Sequence, residues 1–176
     1  MRHTRAVQKE IINFLRQTNR EGIEDVIDWL CKTDFFVAPA ATVHHSNFKG
    51  GLAYHSLSTY KVFCTFNDMA GANIPEESLI ICGLLHDVCK IGVYHRVVGG
   101  YKREDTFPIG HGDKSIILLQ QYIDLTEDEI YLMRWHMGPF DDAYKQYDRA
   151  LEKVYRYARL LYLADSFSAF YLEDRK

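Results

Sequence analysis

The sequence predicts an all-α fold, a helical bundle carrying one small β-hairpin, and three observations predict it. The 176 residues include only 11 Gly and 4 Pro, too few for a loop-rich or all-β chain. The prolines, Pro39, Pro75, Pro108 and Pro139, all fall between stretches of helical apolar spacing and punctuate them. Hydrophobic residues make up 47% and charged residues 26%, the balance of a globule able to bury a core.

Residues 5–17 place Val7, Ile11, Ile12, Phe14 and Leu15 on one helical face, and residues 22–33 repeat the pattern with Ile23, Val26, Ile27 and Leu30. A loop over 34–51 carries His44-His45, read as a surface pair, and closes on Gly50-Gly51. Helices over 52–69 and 76–90 follow. The second opens on Pro75-Glu-Glu-Ser, which sets carboxylates near the positive end of its dipole. Over 92–106 the run Val93-Tyr-His-Arg-Val-Val, then Gly99-Gly100, then Tyr101-Lys-Arg predicts a hairpin turning on the two glycines. Helices return over 111–123 and 126–137, and a last long one over 148–173 is apolar on several faces from Leu160 to Leu172. The chain is read as a single domain over 1–176, with the helices of 1–43 packing on the core.

A net charge of −3 excludes a polybasic nucleic-acid binder. The longest apolar run, Leu79 to Leu85, is too short to span a bilayer. The opening Met-Arg-His-Thr-Arg-Ala-Val-Gln-Lys-Glu lacks the apolar core of a signal peptide. Cys31, Cys64, Cys82 and Cys89 form no Cys-x-x-Cys pair. The expectation is a cytoplasmic protein with reduced thiols and no membrane association.

The chemistry is sought among groups that are costly to bury. Leu79-Ile-Ile-Cys-Gly-Leu-Leu is apolar on every face until it meets His86-Asp87. A helix apolar all round is a buried helix, and a carboxylate at its end must be paired or bound to a metal. Asp165 repeats the anomaly in Leu160-Leu-Tyr-Leu-Ala-Asp-Ser-Phe. His55 lies in Leu52-Ala-Tyr-His-Ser-Leu, His136 in Leu132-Met-Arg-Trp-His-Met, and His111 in Gly110-His-Gly. Taken singly, each has a structural explanation: a core histidine bonded to a carbonyl, or an aspartate in a buried ion pair. Their joint occurrence on separate helices points instead to the imidazole and carboxylate set of a transition-metal centre.

The order His55, His86-Asp87, Asp165 resembles the signature of the HD superfamily of metal-dependent phosphohydrolases. Gly50-Gly-Leu-Ala-Tyr-His-Ser-Leu and His86-Asp-Val-Cys-Lys-Ile-Gly are similar to two of its motifs. His111 and His136 match the additional histidines of its binuclear members, and their context resembles the HD domains of bacterial single-strand exoribonucleases and of HD-GYP cyclic-dinucleotide phosphodiesterases. Met137 stands where those relatives commonly carry a second histidine, and Gly138-Pro139-Phe140 stands near the place of the Gly-Tyr-Pro element. The match is therefore to two metals rather than three.

By that resemblance, His55, His86, Asp87 and Asp165 hold one divalent transition-metal ion. Asp87, His111 and His136 hold the second, with Asp87 bridging. Manganese, iron, cobalt, nickel and zinc all suit such ligands. The resemblance implies hydrolysis of a phosphomonoester or phosphodiester, in a nucleotide or short oligonucleotide, by a water activated by two metal ions. Asp87 and Lys90 form the expected catalytic pair. Lys90, one helical turn beyond His86, is expected to contact a phosphate oxygen. The hairpin cations Arg96, Lys102 and Arg103, with His95, are either a substrate-binding lid or a solvated charged hairpin. Arg149, Lys153 and Arg156 form a basic stripe read as an exposed face. The expected partner is a small phosphorylated substrate, a nucleotide or short RNA, without stable binding to duplex nucleic acid. Two alternatives stay open: an HD-fold di-iron oxygenase with the same ligand inventory, and a non-catalytic nucleotide-sensing module.

Overall fold

A computed structural model describes residues 2–43 and 46–173, so His44-His45 lie outside the described residues. Helix α1 (Arg2–Gln17) and helix α2 (Ile23–Lys32) bury Val7, Ile11 and Leu15 together with Ile23, Val26, Ile27 and Leu30. These are the faces that the apolar spacing predicts. They pack as a pair, and α1 lies on α3 (Gly51–Ala70) and α4 (Glu76–Leu85). Every residue of α4 from Ser78 to Leu85 is buried, and each fully buried large aliphatic side chain there contributes about 1.5–3 kcal/mol.

The predicted helix over 76–90 stops earlier than expected. α4 ends at Leu85, and Val88–Lys90 form a 3₁₀ turn instead. In that tighter turn residues three apart eclipse, so Lys90 stacks over Asp87 rather than over His86. The strands β1 (Tyr94–Val97) and β2 (Gly100–Arg103) pair antiparallel with Tyr94 opposite Arg103 and Val97 opposite Gly100. The hairpin thus turns on Val98-Gly99, one residue earlier than predicted, with Gly100 already in the second strand.

Helix α5 (His111–Leu119) and helix α6 (Glu127–Arg134) are shorter than the predicted spans. α6 starts in a capping box between Thr126 and Glu129. The buried Glu129 also accepts from Arg20 at 2.8 Å and from Ser78 at 2.8 Å. One carboxylate thereby ties the α1–α2 connection to α4 and α6.

The single helix predicted over 148–173 is corrected by the structure. Helix α7 (Tyr144–Val154) ends at Tyr155, whose φ of −152° and ψ of 83° are not helical. A 3₁₀ turn (Arg156–Ala158), helix α8 (Arg159–Phe167) and a π-helical turn (Ser168–Leu172) follow. No proline marks the break. Arg159 folds back to Asp148 at 2.7 Å and Glu152 at 2.5 Å, whereas eleven residues of straight helix would separate Arg159 from Asp148 by about 16 Å. Trp135, Tyr144, Leu151 and Ala158 form a second small core beneath α7. Among the described residues no helix is long and apolar enough to cross a membrane.

Candidate metal centre

α3 and α4 approach closely because residue 83 is glycine: a Cβ there would meet the Tyr60 Cα at 2.8 Å. The approach sets the rings of His55, on α3, and His86, just beyond α4, with centroids 5.3 Å apart and Nε2 atoms 3.4 Å apart. α8 packs on α3 and brings Asp165 Oδ1 to 3.0 Å from His55 Nε2 and 4.0 Å from His86 Nε2. The ligand atoms of His55, His86 and Asp165 all lie within 4.8 Å of one another.

Asp87 stands between this cluster and a second one. Its Oδ2 faces His55 Nε2 at 3.5 Å and His86 Nε2 at 3.6 Å. Its Oδ1 faces His136 Nε2 at 3.7 Å and Cys89 Sγ at 3.8 Å. Cys89 Sγ in turn lies 3.3 Å from His111 Nδ1, and Asp87, Cys89 and His111 form a second group whose ligand atoms lie within 4.8 Å. His111 reaches this point because Gly112 lets α5 touch the end of α6: a Cβ at 112 would meet the carbonyl oxygens of Arg134 and Met133 at 2.5 and 2.6 Å. His136 follows Trp135, which is anchored in the second core with the Arg134 guanidinium 4.2 Å over its ring.

The hydrogen bonds assign the imidazole tautomers. His86 Nδ1 lies 3.0 Å from the Gly83 carbonyl oxygen, and His136 Nδ1 lies 2.7 Å from that of Met133. A carbonyl only accepts, so each Nδ1 carries a proton and each Nε2 points inward; burial keeps the His86 ring neutral, whereas Asp87 and Asp165 outweigh burial and raise the His136 pKa. His136 Nε2 is fully buried and has no hydrogen-bond partner among the described residues. His55 Nδ1 lies 2.7 Å from Glu173 Oε1, and the other oxygen of Glu173 accepts from the Ser46 hydroxyl at 2.5 Å. A carboxylate behind the imidazole in this way orients a ligand and raises its basicity.

Burial drives His86 down to about 4, so its ring is neutral. Burial likewise lowers His111. For His55, burial favours the neutral ring, but the carboxylates of Glu173, Asp165 and Asp87 outweigh it and raise the pKa well above the ordinary imidazole value. Burial opposes the Asp87 anion too, yet Lys90 and the surrounding histidines hold its pKa well below the usual range. Imidazole Nε2 atoms and anionic oxygens gathered at 3–4 Å in a largely buried site form a set of donors that a cation can take up together. Neutral imidazole nitrogen and carboxylate oxygen are the donors that a divalent transition metal takes. The residues present fit such an ion.

The structure thus brings together His55, His86, Asp87, His111, His136 and Asp165. Lys90 Nζ lies 2.6 Å from Asp87 Oδ2 and faces the same cleft. That cleft has a volume of about 480 Å³, with Asp87, Lys90 and Asp165 among apolar walls that include Val43, Met137 and Phe140. The hairpin cations divide. Arg103 lines a small cavity beside His111 and Lys90, whereas Arg96 and Lys102 are exposed and line neither cavity. Lys102 pairs with Glu104 at 2.5 Å.

Two further residues stand at the centre. Cys89 lies inside the His-Asp-Val-Cys-Lys motif, where the sequence marks it only as a reduced thiol. Glu173 is separated from His55 by 118 positions, and its signal was weak: a carboxylate closing an apolar helical run, where the negative end of the dipole disfavours it.

A family model described as HD domain matches residues 52–169. No curated protein and no solved structure matches the chain significantly.

Proposed function

The chain belongs to the HD-domain family, and from that premise we propose that it is a metal-dependent phosphohydrolase. Its proposed substrate is a phosphomonoester or phosphodiester of a nucleotide or short oligonucleotide. The observation that carries this reading is the two-sided placement of Asp87. One oxygen faces His55 and His86, the other faces His136 and Cys89, and Asp87 itself lines a cleft with Lys90 and Asp165.

His55, His86, Asp87 and Asp165 would hold one ion, and Asp87, His111 and His136 the other. Two divalent ions bound there supply a water of lowered pKa and neutralise charge on the phosphoryl oxygens. The chain's own residues do the rest. His86 and His136, with their Nδ1 protons fixed on carbonyls, keep their Nε2 atoms aimed at the centre. Lys90, kept cationic by Asp87, binds a phosphoryl oxygen from the cleft side. The apolar walls, with Phe140 68% exposed at the rim, suit the flat face of a nucleobase better than a bare phosphate. Met137 lines this cleft, so the residue that departs from the His-His pattern faces the substrate's place.

The test is phosphate release from a panel of nucleotides, simple phosphate esters and short RNAs with added manganese or iron. Oxygen uptake is followed in parallel. Metal-dependent cleavage that disappears in His86→Ala supports the reading. Oxygen consumption without phosphate release favours the oxygenase alternative, and tight nucleotide binding without turnover favours the sensing module.

A further inference from the structure

We propose that Cys89 is a metal ligand, its sulfur joining Asp87 and His111 to make the second cation position a thiolate site. The inference rests on the reading of the centre as a metal site and deepens it, because a thiolate shifts preference toward zinc, cobalt and cadmium and away from magnesium or calcium.

Cys89 Sγ lies 3.3 Å from His111 Nδ1 and 3.8 Å from Asp87 Oδ1. A tetrahedral ion about 2.3 Å from sulfur and about 2.0–2.1 Å from nitrogen would space those two donors by about 3.5 Å. The observed spacing is close to that. A thiol–imidazole hydrogen bond would explain the sulfur–nitrogen distance alone. It leaves out the buried His136 Nε2, which makes no hydrogen bond among the described residues and faces the same Asp87 oxygen at 3.7 Å. A cation accounts for all of these donors at once.

The thiol is also held in place. Cys89 is 3% exposed. Its backbone N–H donates to Ser115 Oγ at 3.2 Å, and the Ser115 hydroxyl donates to the His86 carbonyl at 2.5 Å. This pins the 3₁₀ turn, with its sulfur, to α5 beside His111. On binding, the ion displaces the thiol proton to solvent and sulfur enters as the thiolate. The other cysteines are elsewhere: Cys82 donates to the Glu129 carbonyl, Cys31 is exposed, and Cys64 lies beside Tyr60.

The test loads the purified full chain with cobalt(II) and reads its optical spectrum and binding stoichiometry. A sulfur-to-cobalt charge-transfer band is expected to grow with the second equivalent. It should vanish in Cys89→Ser while the ligand-field bands of the first position remain, and it should be unchanged in Cys31→Ser. Zinc affinity at the second position should fall by at least about tenfold in Cys89→Ser. Cadmium NMR on the unaltered chain reads thiolate ligation without any variant, so a misfolded Cys89→Ser does not block the test. Two bound cobalt ions with no charge-transfer band, or a band that survives in Cys89→Ser, overturns the assignment and leaves the metal centre standing. Absence of cobalt binding altogether overturns the metal centre and this inference with it.

Discussion

His55 Nδ1 lies 2.7 Å from Oε1 of Glu173, a residue 118 positions further along the chain. The contact spans the fold from α3 to the end of the π-helical turn after α8, and Ser46 holds the far oxygen of the same carboxylate. Glu173 therefore orients the imidazole without facing the centre itself. Partners of this kind are worth about 10–100-fold in metal affinity. Glu173→Gln is expected to weaken one of the two binding events by that factor and to leave the other intact, as calorimetric titration with manganese or zinc would measure. Equal weakening of both events would remove Glu173 from this role.

Proton release follows from the same contact. The carboxylates around His55 raise its pKa against its burial, so an ion binding at Nε2 competes with a proton there. His86, at about 4, is already neutral and releases none. Affinity at the first position should rise with pH until the raised His55 value is passed, and then level off. Calorimetry at pH 7 in buffers of different ionisation enthalpy should show a released proton that Glu173→Gln reduces.

Lys90 pairs with Asp87 at 2.6 Å at the floor of the cleft. Lys90→Ala is expected to raise KM or lower kcat for phosphate substrates by about 10-fold or more while both ions stay bound, since it removes a charge-assisted contact to the phosphoryl group. Steady-state kinetics with metal analysis distinguishes this from metal loss. Unchanged kinetics would return Lys90 to a purely local ion pair.

Gly112 positions His111 by close contact. Gly112→Ala pushes a Cβ against backbone oxygens at 2.5 and 2.6 Å, costing about 1–3 kcal/mol of stability and moving His111 away from Asp87 and Cys89. Thermal unfolding and metal titration should report a lowered Tm together with selective weakening of the second position. At Gly110 the added Cβ meets only the end of the Asp113 side chain, so Gly110→Ala should be the milder change.

Away from the centre, Arg20 and Glu129 form a largely buried ion pair, 2.8 Å apart. Burial raises the Glu129 pKa, but Arg20, the Thr126 N–H and Ser78 outweigh it and lower the value below 4.5. The stability this group contributes is thus fully present above pH 4.5 and is lost as pH falls through the lowered folded value. Arg20→Ala leaves the carboxylate buried and uncompensated, at a cost of about 3 kcal/mol. Denaturant unfolding at pH 7 and at pH 3–4 checks both statements; the difference between wild type and Arg20→Ala should shrink at the lower pH.

What could be read from the sequence was whatever periodicity and spacing encode. The faces of α1 and α2 and the all-round burial of α4 follow from side chains at 3.6-residue spacing, and the costly groups inside such runs, His55, His86-Asp87 and Asp165, pointed to the centre. The breaks were hidden. Tyr155 interrupts a helical pattern without proline or glycine, and beyond it Arg159 folds back to Asp148 and Glu152. The change to 3₁₀ geometry after Leu85, which stacks Lys90 on Asp87, likewise has no local marker. Cys89 looked like a small apolar residue because burial alone describes a core thiol. Only the convergence of α5 and the 3₁₀ turn shows that its sulfur faces His111.

The most direct measurement is the metal stoichiometry of the full chain, by elemental analysis after equilibration with manganese or zinc, compared with Asp87→Ala and His86→Ala. Two ions per chain are expected in the wild type, with loss of tight binding at both positions in Asp87→Ala and an empty first position in His86→Ala. Full occupancy retained in Asp87→Ala would contradict a shared carboxylate between two ions. A wild-type chain that holds no divalent ion would contradict the centre altogether.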